Sequence, residues 1–444
     1  MPLVVPRDRA LSIGLVALFA FSFVVLPLAL GNSQAFGAGG LHTYRISPLI
    51  IHTDLSAQAT KALAHRVKAV LNDAAGYWKR PVRGPIECYV VDDPTQWEDY
   101  QLPHPLARLI IARVGGATTT QVVGHGIRAR NVACVFASSK PGIVEHEIVH
   151  AYCGQSFHAA GPVWYQEGMA QLLAFGTDRQ QGINCPADVL AQLKSKPSMT
   201  ITQVRTGGRA TQRLIRQFSD KTSRCAGLAG LIPVTDWDRE DVRALREIKQ
   251  FYCWNWFLCH FLYHNTNYRA RFRKLGQVFL AQRQDGFAAL FHPVWRQLQF
   301  EYDFTLAHLT NGYRVDLCSW DWDKPFHYLA GGRPAVVRIM AARGYQATGV
   351  RVEGGQRYEY RTEGTWSRGK PDAGGNAATV DAVAGECLEA VVLSDYRLSE
   401  PIVLDCRRSG CFCAPCSGCL YVRCRDRWDR LADNEGSVLL TLEQ

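Results

Sequence analysis

The sequence predicts an α+β fold followed by an all-β sandwich. Three observations point there. Strand-like and helix-like stretches alternate between about residues 46 and 154, and from about Cys185 to Thr305 the pattern is mostly helical. After Pro334 short apolar or alternating stretches are separated by glycines and charges, the texture of a sandwich. At 444 residues there is chain enough for two or three domains. With 47% hydrophobic and 20% charged residues, whole-chain disorder, collagen and coiled coil are excluded.

Taken in order, the chain opens on Arg7 and Arg9, then a largely apolar stretch from Leu11 to Leu30. At 1.5 Å per residue such a helix spans roughly 30 Å, the thickness of a bilayer core. Residues 1–35 therefore read as a signal peptide cut after Ala35 or as a retained membrane anchor. Either way the remainder is expected to be exported: periplasmic, secreted or membrane-anchored, where disulfides are permitted. Gly31 to Gly40 reads as a linker.

Ile46 to His52 reads as a strand, and Ala57 to Trp78 has helical spacing through Ala59, Leu63, Val67, Val70 and Leu71. Ile86 to Val91 is a second strand. Gly115-Gly116 and the threonines after it suggest a turn or mobile loop, and Asn131 to Ala137 another strand. Ser138 to Pro141 supply capping residues and a first-turn proline for a helix that Gly154 would close. Glu247 to Tyr263, dense in aromatics, reads as a core helix. Strands are expected at Ala335 to Met340, Gly349 to Glu353, Arg357 to Thr362, Leu388 to Leu393 and Val438 to Leu442.

The expected helix after Pro141 carries His146-Glu147-Ile148-Val149-His150. A chain with 13 histidines yields about 0.02 chance matches to H-E-x-x-H, so the motif is informative. A step from i to i+4 turns about 400° and rises about 6 Å, so both imidazoles leave one face and can reach one zinc ion. Glu147 sits beside the first histidine and can face the open position of a metal site without binding the metal.

Trp164-Tyr165-Gln166-Glu167-Gly168-Met169-Ala170 lies downstream. With this E-G-x-A segment and an aromatic ahead of it, the sequence resembles the gluzincin metallopeptidases of the peptidase MA-like superfamily over residues 131–171. The resemblance implies a zincin-like domain, a small mixed sheet plus a helical subdomain, over residues 41–320. It implies that His146, His150 and Glu167 bind Zn2+ and that Glu147 is the general base. The link between the two helices is shorter than in many relatives, and Gly154, Gly161 and Pro162 are the residues suited to a tight turn. Zinc held by three ligands leaves a position for water, whose pKa it lowers toward about 7. Many relatives carry an acidic residue four positions after the glutamate ligand; here Gln171 stands there, with Glu145 as another residue able to orient an imidazole. For the oxyanion the resemblance implies a tyrosine or histidine from the helical part: Tyr252 first, then His260, Tyr263 and His264. The strand Asn131 to Ala137 resembles the edge strand that pairs with an extended peptide.

Residues 333–444 form the expected sandwich, whose texture is similar to galactose-binding-like domains, implying a glycan or cell-surface ligand. Of 15 cysteines, Cys406, Cys411, Cys413, Cys416, Cys419 and Cys424 cluster there. An exported chain favours a disulfide-stapled loop inserted between strands; four thiolates could instead hold zinc or an iron–sulfur cluster. The net charge of +10 concentrates in Arg205 to Arg224 and Arg269 to Lys274, without a nucleic-acid fold motif, so no nucleic-acid partner is expected. The expected function is that of an exported zinc metallopeptidase acting on peptide or protein substrates. The alternative is a catalytically weak or inactive relative acting as a surface or glycan-binding module.

Overall fold

The computed structural model describes residues 42–93, 97, 102, 107–123, 130–176, 182–195, 197–207, 239–283, 286–329, 333–368, 387–405 and 409–444. The apolar segment Leu11 to Leu30 lies outside them. Among the described residues no helix is long and apolar enough to cross a membrane. The protein is mixed α and β with several sheets. It divides into two compact units: residues 1–166 with 212–241 and 279–282, and residues 167–211, 242–278 and 283–444.

The first unit is built on a five-stranded mixed sheet. Its strands are β1 (His42–Ile46), β2 (Leu49–Thr53), β3 (Ile86–Val91), β4 (Gly116–Val123) and β5 (Arg130–Ser138), in the order β1-β2-β3-β5-β4. β2, β3 and β5 run parallel; β1 and β4 are antiparallel to their neighbours. Helix α1 (Ala57–Trp78) makes the crossover from β2 to β3. Its N-cap Ser56 accepts from the Ala59 amide at 3.3 Å, and Leu63, Val67, Val70 and Leu71 are buried as their spacing predicts. Helix α2 (Ala107–Val114) precedes β4, and α3 (Ile143–Phe157) comes after β5.

Two expectations about this sheet need correcting. The segment read as a turn or mobile loop is strand β4, entered through Gly115 at φ 91°. The strand read as the edge, residues 131–137, is interior, because β5 pairs with β3 on one side and β4 on the other. The edge is β4. Its β-branched threonines supply strand propensity where the pair of glycines had suggested a turn.

In the second unit, α5 (Ala187–Lys194) is followed by the aromatic helix α6 (Arg239–His264), then α7 (Arg269–Leu280), α8 (Phe287–Phe291) and α9 (Trp295–Ala307). Trp254, Phe257, Leu258 and Phe261 of α6 are fully buried, as a core helix requires. The strands after it form two sheets. One has the order β10-β9-β13-β7 with β11 beside β9, using β7 (Gln346–Val352), β9 (Cys387–Ser394), β10 (Arg397–Leu398), β11 (Ile402–Asp405) and β13 (Gly418–Cys424). The other has the order β12-β8-β14-β6, using β6 (Ala335–Met340), β8 (Arg357–Ser367), β12 (Gly410–Cys413) and β14 (Glu435–Glu443). Inward residues of both, among them Ile339, Val352, Tyr358, Val392, Val422 and Leu440, share one core.

The cysteine cluster is not an inserted loop. Cys411 and Cys413 are exposed on β12, Cys419 and Cys424 lie on β13 of the other sheet, and Cys416 is between them. No disulfide joins any two of the thirteen described cysteines; Cys225 and Cys406 lie outside the described residues. Most are core residues, and burial pushes thiols such as Cys134, up to about 12, away from reactivity.

Two polar side chains of this unit anchor α9 to its neighbours in the fold. The buried carboxylate of Glu301 on α9 accepts from Asn265 Nδ2 (2.7 Å), Asn267 Nδ2 (2.9 Å), Tyr268 Oη (2.8 Å), Trp322 Nε1 (2.5 Å) and the Trp320 amide (3.3 Å). Burial raises its pKa while those donors oppose the rise. Glu301→Gln keeps the size but turns an NH2 group onto donors, so a loss of about 2–4 kcal/mol in urea denaturation is expected. An unchanged midpoint would contradict this role.

His308, at the end of α9, packs its ring against Trp428 at 4.7 Å with the planes tilted by 33°. Burial and the Arg423 charge hold its pKa down at about 4, against an ordinary 6.5. The unfolded chain therefore takes up a proton that the folded one refuses, and stability present above pH 6.5 is lost as pH falls toward 4. His308→Gln should make that fall shallower in thermal melts taken across this range; parallel curves would refute the assignment.

Candidate metal centre

Helix α3 is buried on nearly every side. From Val144 to Ser156 only His146 keeps intermediate exposure. Its start is set by Gly142, at φ 85°, whose amide donates to Glu145 Oε2 at 3.0 Å. Glu145 also pairs with Arg66 of α1 at 2.7 Å. It therefore caps its own helix and braces α1. Near the other end Tyr152 Oη donates to Arg80 O at 2.6 Å, and Gln155 bonds Pro85 O (3.1 Å) and accepts from the Ala133 amide (3.3 Å).

The expected stop at Gly154 does not occur. Gly154 lies within α3 facing Thr120 of β4, and the helix runs to Phe157, where His158 adopts a left-handed conformation at φ 55°. The chain then reverses through Gly161, at φ 85°, where a Cβ would approach Phe279 to 3.0 Å. Helix α4 (Val163–Ala174) starts directly after Pro162. Trp78 of α1 donates to Tyr165 Oη at 2.9 Å, which fixes the first turn of α4 against α1. One turn on, Gly168 has a structural reason: a Cβ there would come within 2.4 Å of Asn255 O and 2.5 Å of Cys259 Sγ on α6.

This reversal gathers the predicted ligands. His146, His150 and Glu167 each offer a ligand atom, and these atoms lie within 4.8 Å of one another. The two Nε2 atoms are 3.1 Å apart, with rings crossed at 73°. Ligands about 2.05 Å from a tetrahedral zinc stand about 3.3 Å apart, so the pair is close to the required spread. Two imidazole nitrogens this near repel unless a proton or cation lies between them, and the carboxylate supplies the third, anionic donor. The residues fit a divalent ion, and two imidazoles with a carboxylate suit zinc.

Glu147 is outside this group and nearly buried, at 9% exposure. Its Oε2 is 2.9 Å from Thr118 Oγ1, which also lies 2.8 Å from the Glu147 main-chain oxygen. The sequence reading missed Thr118 and Gly116 because it missed β4; three consecutive threonines were the signal that a strand was there. Gln171 does not make the bond expected of it. Its Oε1 is buried without a hydrogen-bond partner. Of the proposed oxyanion donors, Tyr252, His260, Tyr263 and His264 all lie on α6 and none belongs to the three-residue group. His260 and His264 are buried with ring centroids 4.4 Å apart and planes tilted by 45°, and burial with the neighbouring His264 holds the His260 pKa well below its ordinary value.

No protein-family model and no curated protein matches the chain. Thirteen chains of solved structures do. One is described as the EclA N-terminal domain, a PllA-like lectin, with 18% identity, a TM-score of 0.19, and coverage of 24% of this chain and 92% of that one. A likeness this slight has no bearing on fold or function.

The ligand assignment is open to direct measurement. Protein dialysed against zinc and then against buffer is expected to retain about one zinc per chain by elemental analysis. His146→Ala and Glu167→Ala should each lose it. Full retention in either variant would remove that residue from the site.

Proposed function

We propose that the chain is an exported zinc-dependent metallopeptidase with a zincin-like catalytic domain. The observation that carries the proposal is the meeting of His146, His150 and Glu167 with Glu147 beside them, outside the ligand group and held by its own partner. A zinc ion held there would supply a Lewis acid that acidifies water and polarises the scissile carbonyl. Glu147 has the position of a general base: it takes a proton from water and later returns it to the leaving amine. The three ligand side chains leave Glu147 free for that work because its carboxylate is engaged by a neutral hydroxyl and by no cation among its described hydrogen bonds and ion pairs. An extended peptide is suited to β4, which ends the sheet among the described strands and so offers a row of main-chain donors and acceptors.

A second reading, a metallopeptidase-like protein that binds metal without efficient turnover, is favoured by Gln171. An acidic residue at that place would accept an imidazole N–H and raise ligand basicity, whereas the Gln171 oxygen is buried and unbonded. The two readings separate in one experiment. On a library of internally quenched peptides, the zinc-loaded protein should hydrolyse at least some sequences, and chelation should stop it. Glu147→Gln should keep its zinc and lose about 10²–10⁴-fold in kcat/KM. Zinc retained with no hydrolysis by the unaltered protein would decide for the second reading; hydrolysis undiminished in Glu147→Gln would sink the mechanism.

A further inference from the structure

We infer that Gly116 and Thr118 of the edge strand form a clamp that sets the direction of the Glu147 carboxylate, with Thr118 as a positioning residue. The inference rests on the proposed role of Glu147 and adds what aims it.

Residues of a strand alternate between faces, so Gly116, Thr118 and Thr120 share one side of β4. That side meets α3 along its length. A Cβ at Gly116 would lie 2.9 Å from Ile143 Cγ2, 3.0 Å from Glu147 Cγ and 3.2 Å from Phe136 O. Thr118 Oγ1 lies 2.9 Å from Glu147 Oε2, and Thr120 Oγ1 would be 3.4 Å from a Cβ at Gly154. The strand thus has no side chain where the helix is closest and a hydroxyl where the carboxylate ends.

Each half of the clamp does a separate job. Gly116 has no positive φ, so its requirement here is for space and not for a special backbone conformation. The missing Cβ lets the Glu147 stem lie flat against the strand. Thr118, 4% exposed, then offers its one hydroxyl hydrogen between the carboxylate and the Glu147 main-chain oxygen, 2.9 and 2.8 Å away, in a place where water has little access. A nearly buried carboxylate without that donor would turn to find one elsewhere. Misplacing a base by about 1 Å can cost about 100-fold in rate.

The test uses the full-length, zinc-loaded protein with three variants. Thr118→Val keeps the shape and removes the hydroxyl; it should keep its zinc, lower kcat about 10–100-fold with KM little changed, and show the Glu147 side chain swung away in a crystal structure. Thr118→Ser, which restores the hydroxyl, should recover most of kcat and the original carboxylate direction. Gly116→Ala should displace Glu147 by crowding its stem, with a similar loss in kcat and no loss of zinc. A Glu147 carboxylate unmoved in Thr118→Val, or an unchanged kcat there in an active enzyme, overturns the clamp. Should the unaltered protein bind zinc and hydrolyse nothing while Glu147 still swings in Thr118→Val, the clamp stands and the peptidase reading fails.

Discussion

Helix α3 is buried along nearly its whole length, yet it carries Glu145, His146, Glu147, His150 and Gln155. Burying an ionisable or amide side chain without a partner costs several kcal/mol, so the carboxylates and the amide of such a helix need partners. The surrounding elements supply the answers. Arg66 of α1 and the Gly142 amide hold Glu145. Thr118 of β4 holds Glu147, and main-chain groups before β3 and on β5 hold Gln155. His146 and His150 bring their Nε2 atoms to 3.1 Å of each other and, with Glu167, gather three ligand atoms where a cation fits.

Glu167 meets the histidines because α4 returns at once. The left-handed His158 and Gly161 turn the chain within five residues, and the Trp78–Tyr165 hydrogen bond fixes where α4 begins. Gly168 then lets α4 lie against the backbone of α6. The Glu-Gly pair is thus a ligand next to the residue that lets its helix pack closely. A side chain at 168 would push α4 away from α6.

Local signals were legible in the sequence, and non-local ones were not. The α1 stripe, the β3 apolar run and the alternation in β8 are periodic, and each became the predicted element. His146, His150 and Glu167 are legible because ligand spacing on helices is local geometry. Strand β4 was lost because Gly115 and Gly116 carry the same turn signal whether they end a chain segment or admit a close neighbour. Gly154 misled in the same way: it is a glycine of contact, not of termination. The roles of Glu145 and Gln171 depend on partners 79 residues away or on none, which no spacing rule reaches. The cysteine cluster suggested a staple because six thiols are close in sequence; the division between two sheets separates Cys411 and Cys413 on β12 from Cys419 and Cys424 on β13.

The corrected edge strand changes how the proposed chemistry is organised. An interior strand such as β5 has both of its hydrogen-bonding edges occupied and can accept no peptide. β4 has one edge paired with β5, and its face at Gly116, Thr118 and Thr120 turns toward α3. Main-chain groups of a strand lie in the plane of the sheet, whereas side chains stand perpendicular to it. Pairing with a peptide and holding Glu147 therefore use different directions of the same strand and do not compete. A hydroxyl suits the second task because it both donates and accepts, so it stays bonded to Glu147 whichever of the two holds the hydrogen between them. A charged partner would compete with the proton that a general base has to take up. The edge of the sheet and the base next to the metal ligands are, on this geometry, one mechanical element.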